Sequence, residues 1–110
     1  MKRVVLLNIV GLSPRHFEQP DLIPHLARLK MRPLKPTFPA VTCSVQASIL
    51  SGTPPEVHGI VANGYYDRET FEVKFWEQPD ALVQAPRLWD LLKAKNPDCK
   101  TAVLFWQNSM

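Results

Sequence analysis

A short, mostly apolar segment between a proline and a glycine constrains the fold more than any other part of the sequence. Pro39 ends an extended run, because its ring fixes φ and its nitrogen has no hydrogen to donate. Small and apolar residues follow as far as Gly52, and glycine is the residue that most often ends a helix in a left-handed conformation. The pattern predicts a short helix with Thr42 at its N-cap or in its first turn.

The amino-terminal end of this helix is suited to binding an anion. N–H groups in the first turn of a helix have no partner within the helix, and the helix dipole adds partial positive charge. Thr42 would place a hydroxyl beside the anion. That hydroxyl needs activation, by a metal ion for example, before it acts as a nucleophile. The alternative is that Thr42 only caps the helix, which is the commoner use of threonine there.

Turn residues follow the helix. Thr53-Pro54-Pro55 cannot continue it, and His58-Gly59 and Asn63-Gly64 predict two further turns. The Asn-Gly pair makes a turn residue the simplest interpretation of Asn63.

The flanking segments predict an α/β domain. Arg3 to Ile9 is typical of a central parallel strand covered on both faces, and Asp21 to Lys30 predicts a short amphipathic helix. Tyr65 to Glu77 predicts a β-hairpin, Ala85 to Ala94 an amphipathic helix, and Lys100 to Trp106 a last buried strand. This order favours a three-layer α/β domain with a hairpin insert, or the first part of one.

Composition excludes several classes of function. The 110 residues suffice for one ordinary domain, and a net charge of +3 from scattered lysines and arginines gives no basic patch for nucleic acid. No apolar segment is long enough to span a membrane. Cys43 and Cys99 lie far apart without metal-type spacing, so we expect both to be reduced and the protein to be cytoplasmic.

A longer pattern runs through the central stretch. Its residues are, in order, Pro39, Thr42, Ser48, Gly52, Pro55, His58-Gly59-Ile60 and Asn63. In type and spacing they resemble the nucleophile region of the type I phosphodiesterase/nucleotide pyrophosphatase family, in the alkaline phosphatase superfamily. A hydrophobic run before Gly11 and a Pro-x-Leu-Ala-Arg-Leu motif at Pro24 to Leu29 agree with that family too. The combination covers most of the chain and is specific.

The resemblance implies both a fold and a chemistry. Residues 1–110 would form the N-terminal part of one alkaline-phosphatase-like catalytic domain, built on a three-layer parallel sheet. The enzyme would hydrolyse phosphodiesters or pyrophosphates in small-molecule phosphate esters or nucleotides, using two divalent metal ions such as zinc. Thr42 would attack phosphorus to form a covalent intermediate, which water then releases. Asn63 would donate to a phosphate oxygen.

The chain departs from the family pattern in two places. The family has an aspartate metal ligand before the glycine that ends the first strand, where this chain has Val10. Asn8 lies two residues earlier on the same strand face and becomes the candidate metal ligand beside Thr42. Alternatively, the uncharged Asn8 only hydrogen-bonds at the loop edge. Val45 and Gln46 replace an Asn-His pair, which leaves the substrate class open.

Several residues have competing interpretations. Cys43 could be imagined as a nucleophile, but the sequence shows no paired histidine, which favours a buried structural thiol. His16 and His25 form no ligand motif, and His58 is expected to orient a turn. The aromatic residues of the hairpin could stack on a nucleotide or pack across the strands.

A different class of function also fits the residues. The chain could be a non-catalytic α/β domain that binds an anion or a partner at the helix start, which Val10 in the aspartate position favours.

The candidate ligands are too few for a complete two-metal site. Catalytic zinc usually has three protein ligands, and the resemblance implies that most of them follow residue 110. We therefore expect residues 1–110 to be a fragment that is nearly inactive alone and binds no metal tightly. Exposed sheet edges should make it self-associate.

Overall fold

The computed structural model describes residues 3–110, which divide into two compact units. The first unit ends at Leu34, and the second spans Lys35–Met110. The helices are α1 (Pro14–Phe17), α2 (Thr42–Ser51), α3 (Pro55–His58) and α4 (Leu88–Lys95), and the strands are β1 (Gly64–Asp67) and β2 (Glu72–Phe75). Within the described range, none of the helices combines the length and the hydropathy needed to cross a membrane.

The first unit contains α1 and two short 3₁₀ turns, Pro20–Leu22 and Leu26–Arg28, where the sequence predicted one helix over Asp21 to Lys30. Pro24 explains the interruption, because a proline disfavours α conformation in the residue before it. Ile23 accordingly has φ −136° and ψ 55°. The predicted continuous helix is therefore wrong.

The two predicted buried strands are also wrong. Neither Arg3 to Ile9 nor Lys100 to Trp106 forms a strand, and both contain strongly exposed apolar side chains, with Val4 89% exposed and Phe105 wholly exposed. A parallel strand exists only beside hydrogen-bonded neighbours, which a local apolar run cannot supply by itself. Residues 3–110 contain a two-stranded antiparallel sheet and no three-layer parallel sheet.

The predicted hairpin is confirmed in the second unit. β1 pairs antiparallel with β2, from Gly64 opposite Phe75 to Asp67 opposite Glu72. The carboxylate of Asp67 accepts hydrogen bonds from two backbone N–H groups of the turn and contacts the Lys74 ammonium at 2.6 Å. These contacts hold the pKa of Asp67 well below its usual range, with Lys74 the largest cause. The turn is thus closed by charge-assisted hydrogen bonds.

The aromatic residues around the hairpin are partly exposed. Tyr65 lies opposite Lys74, and Tyr66 lies opposite Val73, so neither tyrosine ring faces another ring directly across the sheet. Tyr66 is 55% exposed and Trp76 51% exposed. Direct packing of one aromatic ring on another across the sheet therefore does not explain why tyrosines occupy these positions.

The predicted helix after Pro39 is confirmed as α2. Val41 occupies the N-cap with φ −112° and ψ 158°, and makes no side-chain cap. Gly52 ends the helix at φ 69° and ψ 17°, and its N–H donates to the Ser48 carbonyl at 2.9 Å. Thr42 is the first residue inside the helix, so its interpretation as a simple N-cap is wrong.

The core of the second unit lies under α2. Its buried apolar side chains are Cys43, Ala47, Leu50, Val83 and Ala85. The helix predicted over Ala85 to Ala94 begins three residues later in the structure and spans Leu88–Lys95. Its N-cap residue is Arg87, whose backbone N–H donates to the Asp90 carboxylate at 2.9 Å. No residue of α4 is buried, so the helix does not bury the apolar face that its amphipathic pattern predicted.

A hydrogen-bonded histidine–serine pair joins α3 to α2. His58 is fully buried, with its Nε2 2.9 Å from the Ser48 hydroxyl. Its Nδ1 lies 3.1 Å from the backbone nitrogen of Ile60, which can only donate, so Nδ1 accepts and Nε2 carries the hydrogen. In this tautomer His58 donates to Ser48 and cannot act as its base. The pair therefore fixes the turn and does not activate a serine nucleophile.

We expect this pair to make stability depend on pH. Burial lowers the pKa of His58, and a proton on Nδ1 would oppose the Ile60 N–H. The unfolded chain, whose histidine titrates at about pH 6.5, therefore binds the proton more readily than the folded chain. The free energy of unfolding then falls as the pH drops below that value. Urea unfolding between about pH 8 and about pH 5 measures this loss.

A His58→Gln variant is the control, because its amide retains a donor toward Ser48 but does not titrate. The pH-dependent loss should be smaller in that variant than in the wild type. An equal loss in both proteins would show that another group is responsible.

Candidate functional site

The start of α2 presents a hydroxyl beside unused backbone donors. Thr42 is half-buried, and no described residue hydrogen-bonds to its hydroxyl. The helical ladder begins with the Val45 N–H, which donates to the Val41 carbonyl at 3.0 Å. The N–H groups of Thr42 and Ser44 have no acceptor among residues 3–110. Free N–H groups and the dipole at a helix start favour an anion.

Asn63 lies against the same helix start. Its side-chain oxygen accepts a hydrogen bond from the Cys43 N–H at 3.0 Å. The Cys43 N–H can only donate, so the oxygen of Asn63 must face it, and the amide NH₂ keeps both of its hydrogens for another partner. No acceptor for that NH₂ occurs among the described residues. The structure therefore brings Thr42 and Asn63 to one place and leaves an amide donor available there.

The backbone of Asn63 extends the hairpin. Its carbonyl accepts a hydrogen bond from the Trp76 N–H at 3.0 Å, just beyond the last paired residues of β1 and β2. Its side chain bonds to a different element, so Asn63 does more than form the turn that the Asn-Gly pair suggested. One residue thus links the hairpin to the start of α2.

A cleft of about 200 Å³ adjoins the helix start. Its walls are formed by Cys43, residues 59–65, Glu77, Leu82, Gln84 and Asn108. The cleft shares Cys43 and Asn63 with the helix start, so a group attached to an anion bound there has an adjacent cavity.

Cys43 is not poised for nucleophilic chemistry. Its side chain belongs to the core and is only 4% exposed, and burial raises the pKa of the thiol. A thiol with a raised pKa stays protonated at neutral pH, and the thiolate is the nucleophilic form. The interpretation of Cys43 as a structural thiol agrees with this position, and both cysteines are free.

The candidate metal ligands do not make a metal centre by themselves. Asn8 is an exposed residue of the first unit, and Thr42 belongs to the second. Both side chains are neutral, whereas zinc in proteins prefers thiolate, imidazole and carboxylate ligands. The described part of the chain contains no group of three or more His, Cys, Asp or Glu side chains that could hold a metal ion. The residues present therefore do not fit a complete zinc site.

Gln46 is a residue whose role the sequence did not reveal. It is 7% exposed, and its side-chain oxygen accepts a hydrogen bond from the Gln107 N–H at 2.8 Å. The signal available in the sequence was a polar residue one helical turn after Thr42, within an otherwise small and apolar helix. Its partner, far along the chain, could not be identified from local pattern.

Comparison with known proteins identifies the family of the chain. The family model for type I phosphodiesterase/nucleotide pyrophosphatase matches residues 4–110. An uncharacterized pyrophosphatase/phosphodiesterase of Schizosaccharomyces pombe is 28% identical over 104 residues, covering 90% of this chain. Ectonucleotide pyrophosphatase/phosphodiesterase family member 3 of Bos taurus is 28% identical over 116 residues, covering 96% of this chain.

The chain spans 19% of the length of the yeast relative and 13% of the bovine one. No solved structure matches it significantly. Because the family model covers nearly every residue, the chain belongs to the type I phosphodiesterase/nucleotide pyrophosphatase family.

Proposed function

We propose that the whole protein hydrolyses phosphodiester or pyrophosphate bonds in small-molecule phosphate esters or nucleotides, with Thr42 as its nucleophile. The observation that carries the proposal is the 3.0 Å hydrogen bond between Asn63 and the Cys43 N–H. It gathers a free hydroxyl, free helix N–H groups and a free amide donor at one helix start. The family to which the chain belongs, and the names of its relatives, support the class of reaction.

The residues of this chain would act as follows. The start of α2 would bind the phosphate through its N–H groups and its dipole. The Thr42 oxygen would attack phosphorus, forming a new P–O bond as the bond to the leaving group breaks, and water would later displace the threonine. The Asn63 NH₂ would donate to a phosphate oxygen on which negative charge develops. Positioning and electrostatic stabilisation are the main contributions a protein makes to such a reaction.

Metal dependence remains part of the proposal on different grounds. The proposal of two divalent ions, with zinc as the first candidate, is based on the family resemblance, because the described residues do not form a metal centre. In this proposal Asn8 and Thr42 would contribute to the site, and the charged ligands would come from outside residues 1–110.

A second candidate function is anion binding without catalysis. The observation that favours it is the chemistry of the candidate ligands. Val10 stands where the family has an aspartate, Asn8 nearby is uncharged, and residues 3–110 contain no cluster of charged ligands. The anion would then bind at the start of α2 without reacting. The Thr42 variants distinguish the two functions.

Thr42→Ala should remove almost all hydrolysis by the whole protein, whereas Thr42→Ser should retain it, because serine keeps the hydroxyl. Thr42 makes no capping bond, so the free energy of unfolding should fall by less than the about 1 kcal/mol of a typical lost cap. Hydrolysis of p-nitrophenyl phosphate, its thymidine diester and its sulfate, with saturating zinc, measures the effect. Diester turnover by Thr42→Ala near the wild-type rate would make the nucleophile assignment wrong.

Asn63→Ala should lower the rate by something like 10²-fold, as loss of one donor to a developing charge does. Asn63→Asp is the sharper variant, because it keeps an acceptor for the Cys43 N–H and replaces the NH₂ donor with a second acceptor. Its rate should fall at least as far while its melting temperature stays near that of the wild type. If Asn63→Asp turned over substrate at the wild-type rate, the role of Asn63 would be only structural, as the acceptor for the Cys43 N–H.

Residues 1–110 alone should bind no zinc tightly, because the available ligands are few and uncharged. Calorimetric titration of this chain with zinc tests the expectation. A submicromolar affinity that disappears in Asn8→Ala would overturn it and establish Asn8 as a ligand.

A further inference from the structure

We propose that Gln46 is a positioning residue, which sets the start of α2 against Asn63 through a closed ring of hydrogen bonds. The inference rests on the proposed function, which assigns Thr42 and Asn63 to the reaction. Gln46 itself would touch neither substrate nor metal. It would act from one helical turn beyond Thr42, on the side of the helix that meets the segment around Gln107.

The first part of the ring runs from α2 to the end of the hairpin. The Cys43 N–H donates to the Asn63 side chain at 3.0 Å, and the Asn63 carbonyl accepts from the Trp76 N–H, also at 3.0 Å. The Trp76 carbonyl then accepts from the side-chain NH₂ of Gln78 at 3.1 Å. The position of Asn63 is thereby tied to that of Gln78.

The second part returns from Gln78 to α2. The NH₂ group of Gln78 also donates to the side-chain oxygen of Gln107, and its own oxygen accepts from the Asn108 N–H at 3.3 Å. The Gln107 N–H donates to the Gln46 oxygen at 2.8 Å. The ring therefore leaves α2 at Cys43 and re-enters it at Gln46, so that both ends of its first turn are held.

The segment at Asn108 is a fixed support for this ring. Asn108 is 4% exposed, and its side-chain NH₂ donates to the Glu77 carbonyl at 2.9 Å. Arg87 donates to the Asn108 carbonyl at 2.9 Å and is itself held by the Asp80 carboxylate at 3.2 Å. The side chain, the N–H and the carbonyl of Asn108 all make hydrogen bonds, so Gln46 bonds, through the neighbouring Gln107, to a segment that is held independently of α2.

A shift of α2 would change the geometry that matters for the reaction. Misplacing a reacting group by about 1 Å can cost a rate factor of about 10². If Gln46 lost its acceptor, the Gln107 N–H would be left unsatisfied, and α2 would be held against the hairpin at Cys43 alone. A role confined to fold stability would lower stability without changing how Asn63 contributes to turnover. The two roles therefore give different results in a double-mutant experiment.

The test uses the whole protein and diester hydrolysis. Gln46→Met keeps the length of the side chain without its acceptor and should lower kcat about 10-fold, within the range for misplaced reacting groups, with KM little changed. Gln46→Glu keeps an acceptor oxygen and should recover most of the rate. Gln19→Met, at an exposed glutamine of the first unit, is the matched control and should match the wild type. If Gln46→Met does not fold, Gln78→Met takes its place as the test variant. It interrupts the ring at another bond and should lower kcat by a similar factor.

The double variant with Asn63→Ala identifies the coupling. Gln46→Met should lower kcat much less in the Asn63→Ala background than in the wild type, because the positioned amide is already gone. Equal losses in the two backgrounds would mean that Gln46 does not act through Asn63 and would overturn the inference. If Asn63→Ala itself left turnover unchanged, the proposed function would fail instead.

Amide hydrogen exchange supplies a readout that does not require activity. Gln46→Met and Gln78→Met should speed exchange at the Cys43 N–H, which is bonded to Asn63, while Gln19→Met should not. Unchanged protection of the Cys43 N–H in both ring variants would overturn the inference whatever the turnover.

Discussion

One hydrogen bond, from the Cys43 N–H to the side chain of Asn63, joins the start of α2 to the hairpin in the second unit. The first N–H groups of a helix have no hydrogen-bond acceptor within the helix, and burying such a group without a partner costs free energy. Asn63 satisfies one of these donors and is held by the hairpin through its own carbonyl. The same contact turns the amide so that its NH₂ stays free. Folding and the candidate site therefore share one interaction.

The segment between α2 and Asn63 must return the chain to the helix start. Gly52 and Gly59 adopt left-handed conformations at φ 69° and φ 81°, which side chains disfavour, and His58 fixes the turn between them through Ser48. Gly64 then lets β2 approach closely, because an added Cβ would lie 2.5 Å from the Phe75 ring. The two left-handed glycines and His58 thus direct the chain back to Asn63, and Gly64 allows the hairpin that follows it to form.

Local pattern predicted the elements that depend on neighbours in sequence. α2 follows from Pro39 and Gly52, and the hairpin follows from alternation around its turn. Arg3 to Ile9 and Lys100 to Trp106 are equally apolar, but a strand also needs partners, and the apolar run does not specify them. The meeting of Thr42 with Asn63 came from the family pattern. The contact of Gln46 with Gln107 joins distant segments and could not be read from either one.

The departures from the family pattern differ in their physical consequences. At Val10 and Asn8 the chain lacks a negative charge, and no described residue supplies one to a cluster of metal ligands. At Gln46 it lacks the family histidine, but the glutamine oxygen accepts a backbone N–H from a buried position. A hydrogen-bond acceptor can be replaced by another of similar reach, whereas a carboxylate at a divalent ion cannot be replaced by a neutral amide without weakening the site. The hydrogen-bonded support of α2 is therefore intact in this chain, and a source of negative charge for the proposed metal ions is what separates the two candidate functions.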